Sequence, residues 1–428
     1  MEFSLIEIIS QLSIVEITFL TVAGVLAFYF FITKQLHIII FLLVLSASLV
    51  GTTIPVVENI AALLRWLSII LLFMIGLLQS KIRLSLGLIL FWGYAGVGLI
   101  GLFNAIDINW QIQKCILLLF VAAAIPLAYS IETYWKLKSS LVAISLAASL
   151  FAILNFVMLP GQLSGALRYS GFARGAATFV IVLGGLLPFT FWGLWTADNK
   201  AIRIICGLGF LCGVIALIFS GQRTGTGAGL ISLIPMIFVV QQRKTLGWSM
   251  LLIVFLLALS YVFIQQSSVE RLQFLLSRYG PEAGLTYRDQ IWTMALSEIA
   301  KNPFWGHGMG AAETVMNFSF HNAYLEVWYN TGILGLFLFL TSQFYFIYRI
   351  FKLNRVSKDP EIKSTLALTL GYMLGFIVIS IFESTGAGAS NINIILYIFL
   401  GVLVSNNRLE NRAQFSETGY LKPQYGGV

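Results

Sequence analysis

Thirteen apolar runs, most of them close to the ~20 residues that an α-helix needs to cross a bilayer, follow one another along this chain. They fall at about 14–32, 38–54, 61–78, 84–103, 115–130, 139–159 and 176–196, then at 202–219, 225–240, 247–264, 327–349, 364–382 and, shorter, 391–404. The expected fold is therefore an all-α integral membrane protein with about 12–13 transmembrane helices, the last run being short enough to be partly re-entrant. Composition agrees, with 58% apolar and 10% charged residues against about 45–50% and about 25% in soluble domains. The opening MEFSLIEIIS lacks a basic n-region and an obvious cleavage site, so no removable signal peptide is expected. Cys115, Cys206 and Cys212 lie in or beside apolar runs without paired ligand spacing, which implies neither a disulfide framework nor a zinc site.

Basic residues concentrate in cytoplasmic connections, and here they alternate. Lys34, then Lys81 and Arg83, Lys136 and Lys138, Lys200 and Arg203, Arg243 and Lys244, the run Arg349 to Lys363, and the tail share one side. That side holds 17 of the 26 Lys and Arg, leaving 9 for the other, where Arg65, Lys114, Arg168, Arg174, Arg223, Arg271, Arg278, Arg288 and Lys301 lie. The first side is read as cytoplasmic. The formal charge of +8 then reflects topology and the anionic inner leaflet, and implies no nucleic-acid partner. Four segments follow: helices 1–10 over 1–264, an external loop over 265–322, C-terminal helices over 323–404, and a polar cytoplasmic tail over 405–428. The loop, the one large polar connection, is expected to contain short helices and to face the periplasm or its equivalent. No internal repeat of the transporter kind is evident.

The external connections carry the residues with chemistry. Thr286-Tyr287-Arg288-Asp289 fits a capping box ahead of Ile291, Ala295, Leu296 and Ile299 at helical spacing, so a helix from about Tyr287 to Ala300 is expected, stopped by Asn302-Pro303. Arg288 would stand in its first turn, a place suited to a bound anion. Gly306-His307-Gly308-Met309-Gly310 lacks the lysine of a P-loop and is read as a turn, with His307 structural or interfacial. Asn322 is the expected N-cap of the span that follows, which would hold His321 at the outer surface; an imidazole is able to take a proton near neutral pH. Arg223, in Ser220-Gly221-Gln222-Arg223-Thr224-Gly225, and the pair Arg168 and Arg174 stand at the outer ends of other spans. Arginines gathered with a histidine suit a pyrophosphate, which guanidinium groups bind bidentately. The external residues offer no Asp-x-Asp or clustered carboxylate and histidine set, so a metal site is not expected.

Several of these elements in order, Arg288-x-x-x-Trp292, Asn302-Pro303-Phe304-Trp305-Gly306-His307-Gly308, His321-Asn322-x-Tyr324-Leu325-Glu326 and Gly332-Ile333-Leu334-Gly335, resemble the O-antigen ligase and polymerase superfamily. The resemblance extends to the Arg168 to Gly171 and Ser220 to Gly225 stretches, covering roughly residues 160 to 340; Gln222 stands where a serine commonly precedes the arginine, and Arg174-Gly175-Ala176 replaces a frequent Asn-Pro-Asn. It implies a helical membrane glycosyltransferase of the C type in the bacterial inner membrane. Such an enzyme moves a glycan from undecaprenyl diphosphate onto a hydroxyl of lipid A-core, or of another lipid-linked glycan in the polymerases, with inversion and without metal or cofactor. Carried over, His321, Arg288 and Arg223 are the candidate catalytic residues and Arg168 helps to hold the donor. Arg174, whose segment departs from the family's but whose charge suits an anionic donor, and Asn322 join Arg168 as the candidate substrate-binding residues. A lipid-linked glycan transporter is the competing class.

Overall fold

The computed structural model describes residues 25, 29–30, 32–79, 84–105, 107–129, 131–157, 169–240, 288–315, 319–384 and 391–406. Among them every long element is helical. The order is α1 (Leu36–Leu49), α2 (Pro55–Leu77), α3 (Leu86–Ile100) with a 3₁₀ turn to Asn104, α4 (Ile108–Tyr129), α5 (Tyr134–Val157), α6 (Ala176–Thr196) and α7 (Lys200–Phe219). There follow α8 (Arg223–Val240), α9 (Arg288–Ile299), α10 (Ala311–Val315), α11 (Ala323–Val356), α12 (Pro360–Phe382) and α13 (Ile392–Ser405). Eight of these are long and apolar enough to cross a membrane, and α1, α8 and α13 are shorter apolar helices. Eleven of the thirteen expected spans thus coincide with helices; the span at 247–264, and most of that at 14–32, lie outside the described residues. The protein is an all-α integral membrane protein, as its hydropathy demands.

The alternation of the connections is visible in their contacts. At one end of the bundle the Lys138 ammonium meets Asp198 (3.0 Å) and Glu361 (2.6 Å), and Asn406 donates to the carbonyl of Glu132 (2.9 Å). At the other end Thr53 N–H donates to Phe172 O (2.6 Å), Tyr169 N–H to Phe219 O (3.4 Å) and Asn104 to Gly306 O (3.4 Å). These are the two sets of connections that the basic-residue count separates. Arg65, counted with the outer connections, instead sits within α2 and is 7% exposed. The helix begins at Pro55, six residues before the apolar run, because Pro55 and Glu58 suit a helix start.

Helices approach closely where side chains are small, the packing mode available in lipid. A Cβ at Gly184 of α6 would come within 2.5 Å of the Gly225 carbonyl of α8. On the other side of α8, Gly371 of α12 abuts Ser232 and Gly375 abuts Ala228. The helices α8 and α12 are therefore antiparallel, in a register that brings Arg223 and Glu383 to the same end of the bundle, the one that the basic-residue count reads as outer.

Helix α11 is two helices joined at Gly332, whose φ of 67° and ψ of −175° break the ladder. The second half, beginning at Ile333, is ~36 Å long at ~1.5 Å per residue and crosses a bilayer by itself. The first half stays at the outer end. Its freed carbonyls are met by the glycine loop: His307 N–H donates to Tyr329 O (2.9 Å) and Gly308 N–H to Asn330 O (2.9 Å), while Ile333 N–H donates to Pro303 O (2.9 Å). Trp328 Nε1 also donates to Pro303 O (3.0 Å). His307 stacks on Tyr329 at 4.2 Å between ring centroids, in the structural role expected of it.

Two outcomes follow from this architecture. Cysteine at position 136 should react with an impermeant maleimide only after the membrane is opened, and cysteine at position 301 in intact cells; the opposite pattern would invert the topology. Gly332→Ala, whose Cβ would strike the Phe304 carbonyl, should lower unfolding stability in detergent by at least ~2 kcal/mol. Gly96→Ala, with open space around its Cβ, should stay within ~0.5 kcal/mol of wild type.

Candidate functional site

The outer loop builds a small core of its own from Ala295, Ile299, Ala311, Ala312, Phe320 and Tyr329, with Ile291, Leu325 and Trp328 against it. Burying this face of α9 on the first half of α11 fixes the start of α9, and Arg288 is its first residue. The expected helix over Tyr287 to Ala300 is thus present; Thr286 and Tyr287, and with them the capping box, lie outside the described residues. Trp292 Nε1 donates to Phe320 O (3.1 Å), tying α9 to the residue before His321.

His321 has φ of 50°, a conformation that a non-glycine residue seldom adopts. Trp292 on the preceding carbonyl, His321 N–H donating to Ser319 Oγ (3.1 Å) and the cap that follows hold it there. Asn322 Oδ1 accepts from Tyr324 N–H and Leu325 N–H, both at 3.0 Å, so the expected N-cap forms. Strain of this kind persists where the surroundings over-determine it, and clusters at functional positions.

Glu383, the residue that ends α12, joins the two motifs. Its Oε1 accepts from Arg288 Nη2 (2.7 Å) and its Oε2 lies 2.9 Å from His321 Nδ1. The carboxylate is 7% exposed, the arginine 17% and the imidazole 40%. A carboxylate only accepts, so the neutral histidine carries its proton on Nδ1 and leaves the Nε2 lone pair available on a ring that solvent reaches. Arg288 also lies over the ring of Phe382, 5.9 Å from its centroid, and has further N–H groups for an anion. Next to Glu383, Ser384 bonds Ser319 (2.6 Å) and lies within hydrogen-bond reach of the buried Glu326. Glu383 carries no local signal beyond being an acid at the outer end of an apolar run, and a reading centred on the loop passes over it.

Arg223 starts α8 at this same outer end, placed there by the close packing of α8 on α6 and α12. Arg168 lies outside the described residues; its neighbour Tyr169 is bonded to the turn that leads to Arg223, and burial raises the Tyr169 phenol above its ordinary pKa. Arg174 is elsewhere. Its guanidinium pairs with Glu58 and its N–H donates to Gly51 O (2.9 Å), which fastens the segment to α2. Among the described residues no three His, Cys, Asp or Glu side chains form a set able to hold a metal ion.

A multi-pass helical membrane protein with an Arg–Glu–His cluster at one end of its bundle is the class that these observations define. Residues 208–340 match the family model described as O-Antigen ligase. The resemblance to the O-antigen ligase and polymerase superfamily is borne out by that match, which runs from within α7 through α8 and the loop to the start of the second half of α11. The family points to glycosyltransferase chemistry on lipid-linked glycans. No curated protein matches the chain.

The ion pairs differ in burial, and so should their contributions. Glu383→Ala is expected to lower stability by ~1–3 kcal/mol, between surface and buried pairs. Glu58→Ala, which frees an arginine that is 65% exposed, should cost less than ~1 kcal/mol. Thermal unfolding of the purified variants in one detergent checks both.

Proposed function

We propose that this protein transfers a glycan from undecaprenyl diphosphate to a hydroxyl of lipid A-core at the outer face of the bacterial inner membrane, without a metal and with inversion. The observation that carries the reading is the single Glu383 carboxylate tying Arg288 to His321. The acceptor hydroxyl attacks the anomeric carbon; its oxygen forms the new bond as the bond from that carbon to the diphosphate oxygen breaks. The hydroxyl proton passes to His321 Nε2, and Glu383 stabilises the imidazolium that results. Arg288 and Arg223 hold the charge that collects on the departing diphosphate. Inversion comes from the family resemblance and fits a single displacement. Arg168 is assigned to the anionic donor, and Asn322 to substrate through the amide nitrogen that its capping role leaves over. Arg174, away from the Arg288–Glu383–His321 cluster, could reach the donor only through the guanidinium nitrogens that its pair with Glu58 leaves over.

A repeat-unit polymerase would use the same donor chemistry with a lipid-linked acceptor. Product analysis in proteoliposomes containing undecaprenyl-diphosphate oligosaccharide, with and without lipid A-core, separates the readings. Transfer that requires lipid A-core is expected; a ladder of longer lipid-linked glycans without it would make the protein a polymerase. Donor crossing the bilayer unextended would make it a transporter. His321→Ala should lower turnover ~10²-fold or more, and full activity in that variant would remove the histidine from the mechanism. Arg288→Lys keeps the charge but loses the planar fork, and should lower turnover at least ~10-fold.

A further inference from the structure

The second half of α11 leaves the break at Gly332 with large apolar side chains exposed: Ile333, Leu334 and, one turn on, Phe337, which is 61% exposed. Both α11 and its neighbour α3 are long and apolar enough to cross a membrane, and apolar side chains that face outward from a spanning helix are covered by lipid. The same kind of surface continues past the helices. Phe304 and Trp305, in the turn between α9 and the glycine loop, are 66% and 53% exposed, and Phe103, in the 3₁₀ turn that ends α3, is 91% exposed.

Backbone contacts fix the height of these rings in the bundle. Pro303 O accepts from Ile333 N–H (2.9 Å), and a Cβ at Gly332 would strike the Phe304 carbonyl and come within 2.7 Å of Trp305 N. Phe304 and Trp305 therefore stand where the second half of α11 begins. Just after them, Gly306 O accepts from Asn302 Nδ2 (2.7 Å) and from Asn104 Nδ2 (3.4 Å), which brings the turn holding Phe103 to the same level. Single exposed apolar residues need no explanation, but three large aromatic rings from two connections, at the level where a spanning helix starts, do. The chain turns polar on either side of them: Lys301 and Asn302 precede the pair, and Asp107, exposed, follows Phe103. Such a change within a few residues marks a boundary between hydrocarbon and water, where indole rings concentrate because one end is apolar and the other wet.

We infer that Phe304 and Trp305, with Phe103 at the same level, seat in the phospholipid leaflet at this end of the bundle, at the boundary between head groups and acyl chains, and so continue the lipid-facing surface of α3 and α11. The occupant is bilayer lipid, because the surface they extend is already the lipid-facing surface of two spanning helices. Through Pro303 and Gly306 the contact fixes the height of the loop over the membrane. It holds whatever reaction the site performs.

The test is electron paramagnetic resonance of the full chain in phosphatidylethanolamine–phosphatidylglycerol liposomes, with a nitroxide attached to Phe103→Cys, Phe304→Cys or Trp305→Cys, one at a time. Lys301→Cys and Phe337→Cys serve as the aqueous and lipid references, and signal from the native cysteines is measured on the unsubstituted chain and subtracted. All five side chains are exposed, so their replacement leaves the packing intact. The ratio of collision with oxygen to collision with a water-soluble nickel chelate should be at least about threefold higher at 304 and 305 than at 301, and lower than at 337, as for residues of an interfacial belt. Position 103 should resemble 304. Ratios at 304 and 305 equal to that at 301 would put both rings in water and overturn the inference. Low collision with both reagents, together with dipolar broadening between labels, would mark a second copy of the chain as the cover and overturn lipid as the occupant.

Discussion

A backbone group in hydrocarbon has no water to bond, and the arrangement of this protein depends on that constraint. It forces the long runs into helices, and it acts again where a helix is broken. At Gly332 the carbonyls of Tyr329 and Asn330 lose their helical donors, and the backbone of His307 and Gly308 supplies new ones. The loop is thereby fastened to the break. The packing of α9 on the first half of α11 follows, and with it the position of Arg288.

The same logic explains why the candidate site sits where α12 ends. Arg288 comes from a helix in the outer loop, His321 from the strained residue before α11, and Glu383 from the outer end of α12. Each is set by an element with its own core or cap. The glycines of α8 let it lie close against α6 and α12, which delivers Arg223 to the same end. Rigid elements thus converge on one end of the bundle, where Arg288, Glu383 and His321 meet. One carboxylate couples the arginine to the histidine, so loss of Glu383 acts on both side chains.

The two ends of the bundle differ in electrostatic design. At the outer end a nearly buried carboxylate is shared between a guanidinium and an imidazole. At the inner end Lys138 is shared between two carboxylates beside tryptophans. Each arrangement places a central charge between two polar partners.

Hydropathy alone determined the all-α membrane fold, because a run of apolar residues near bilayer length has one low-energy solution. It also located eleven helices among the described residues, with boundaries shifted where polar residues such as Pro55 and Glu58 extend a helix past its apolar run. The helix at Arg288, the cap at Asn322 and the structural role of His307 were legible, since periodicity, capping and glycine spacing are local properties. The partnership of Glu383 with Arg288 and His321 was not, because it joins residues 95 and 62 positions apart through the packing of α9, α11 and α12. The break in α11 was equally hidden: Gly332 lies in an apolar run that reads as continuous, and the bonds that stabilise the break come from a loop that only the tertiary structure brings alongside it.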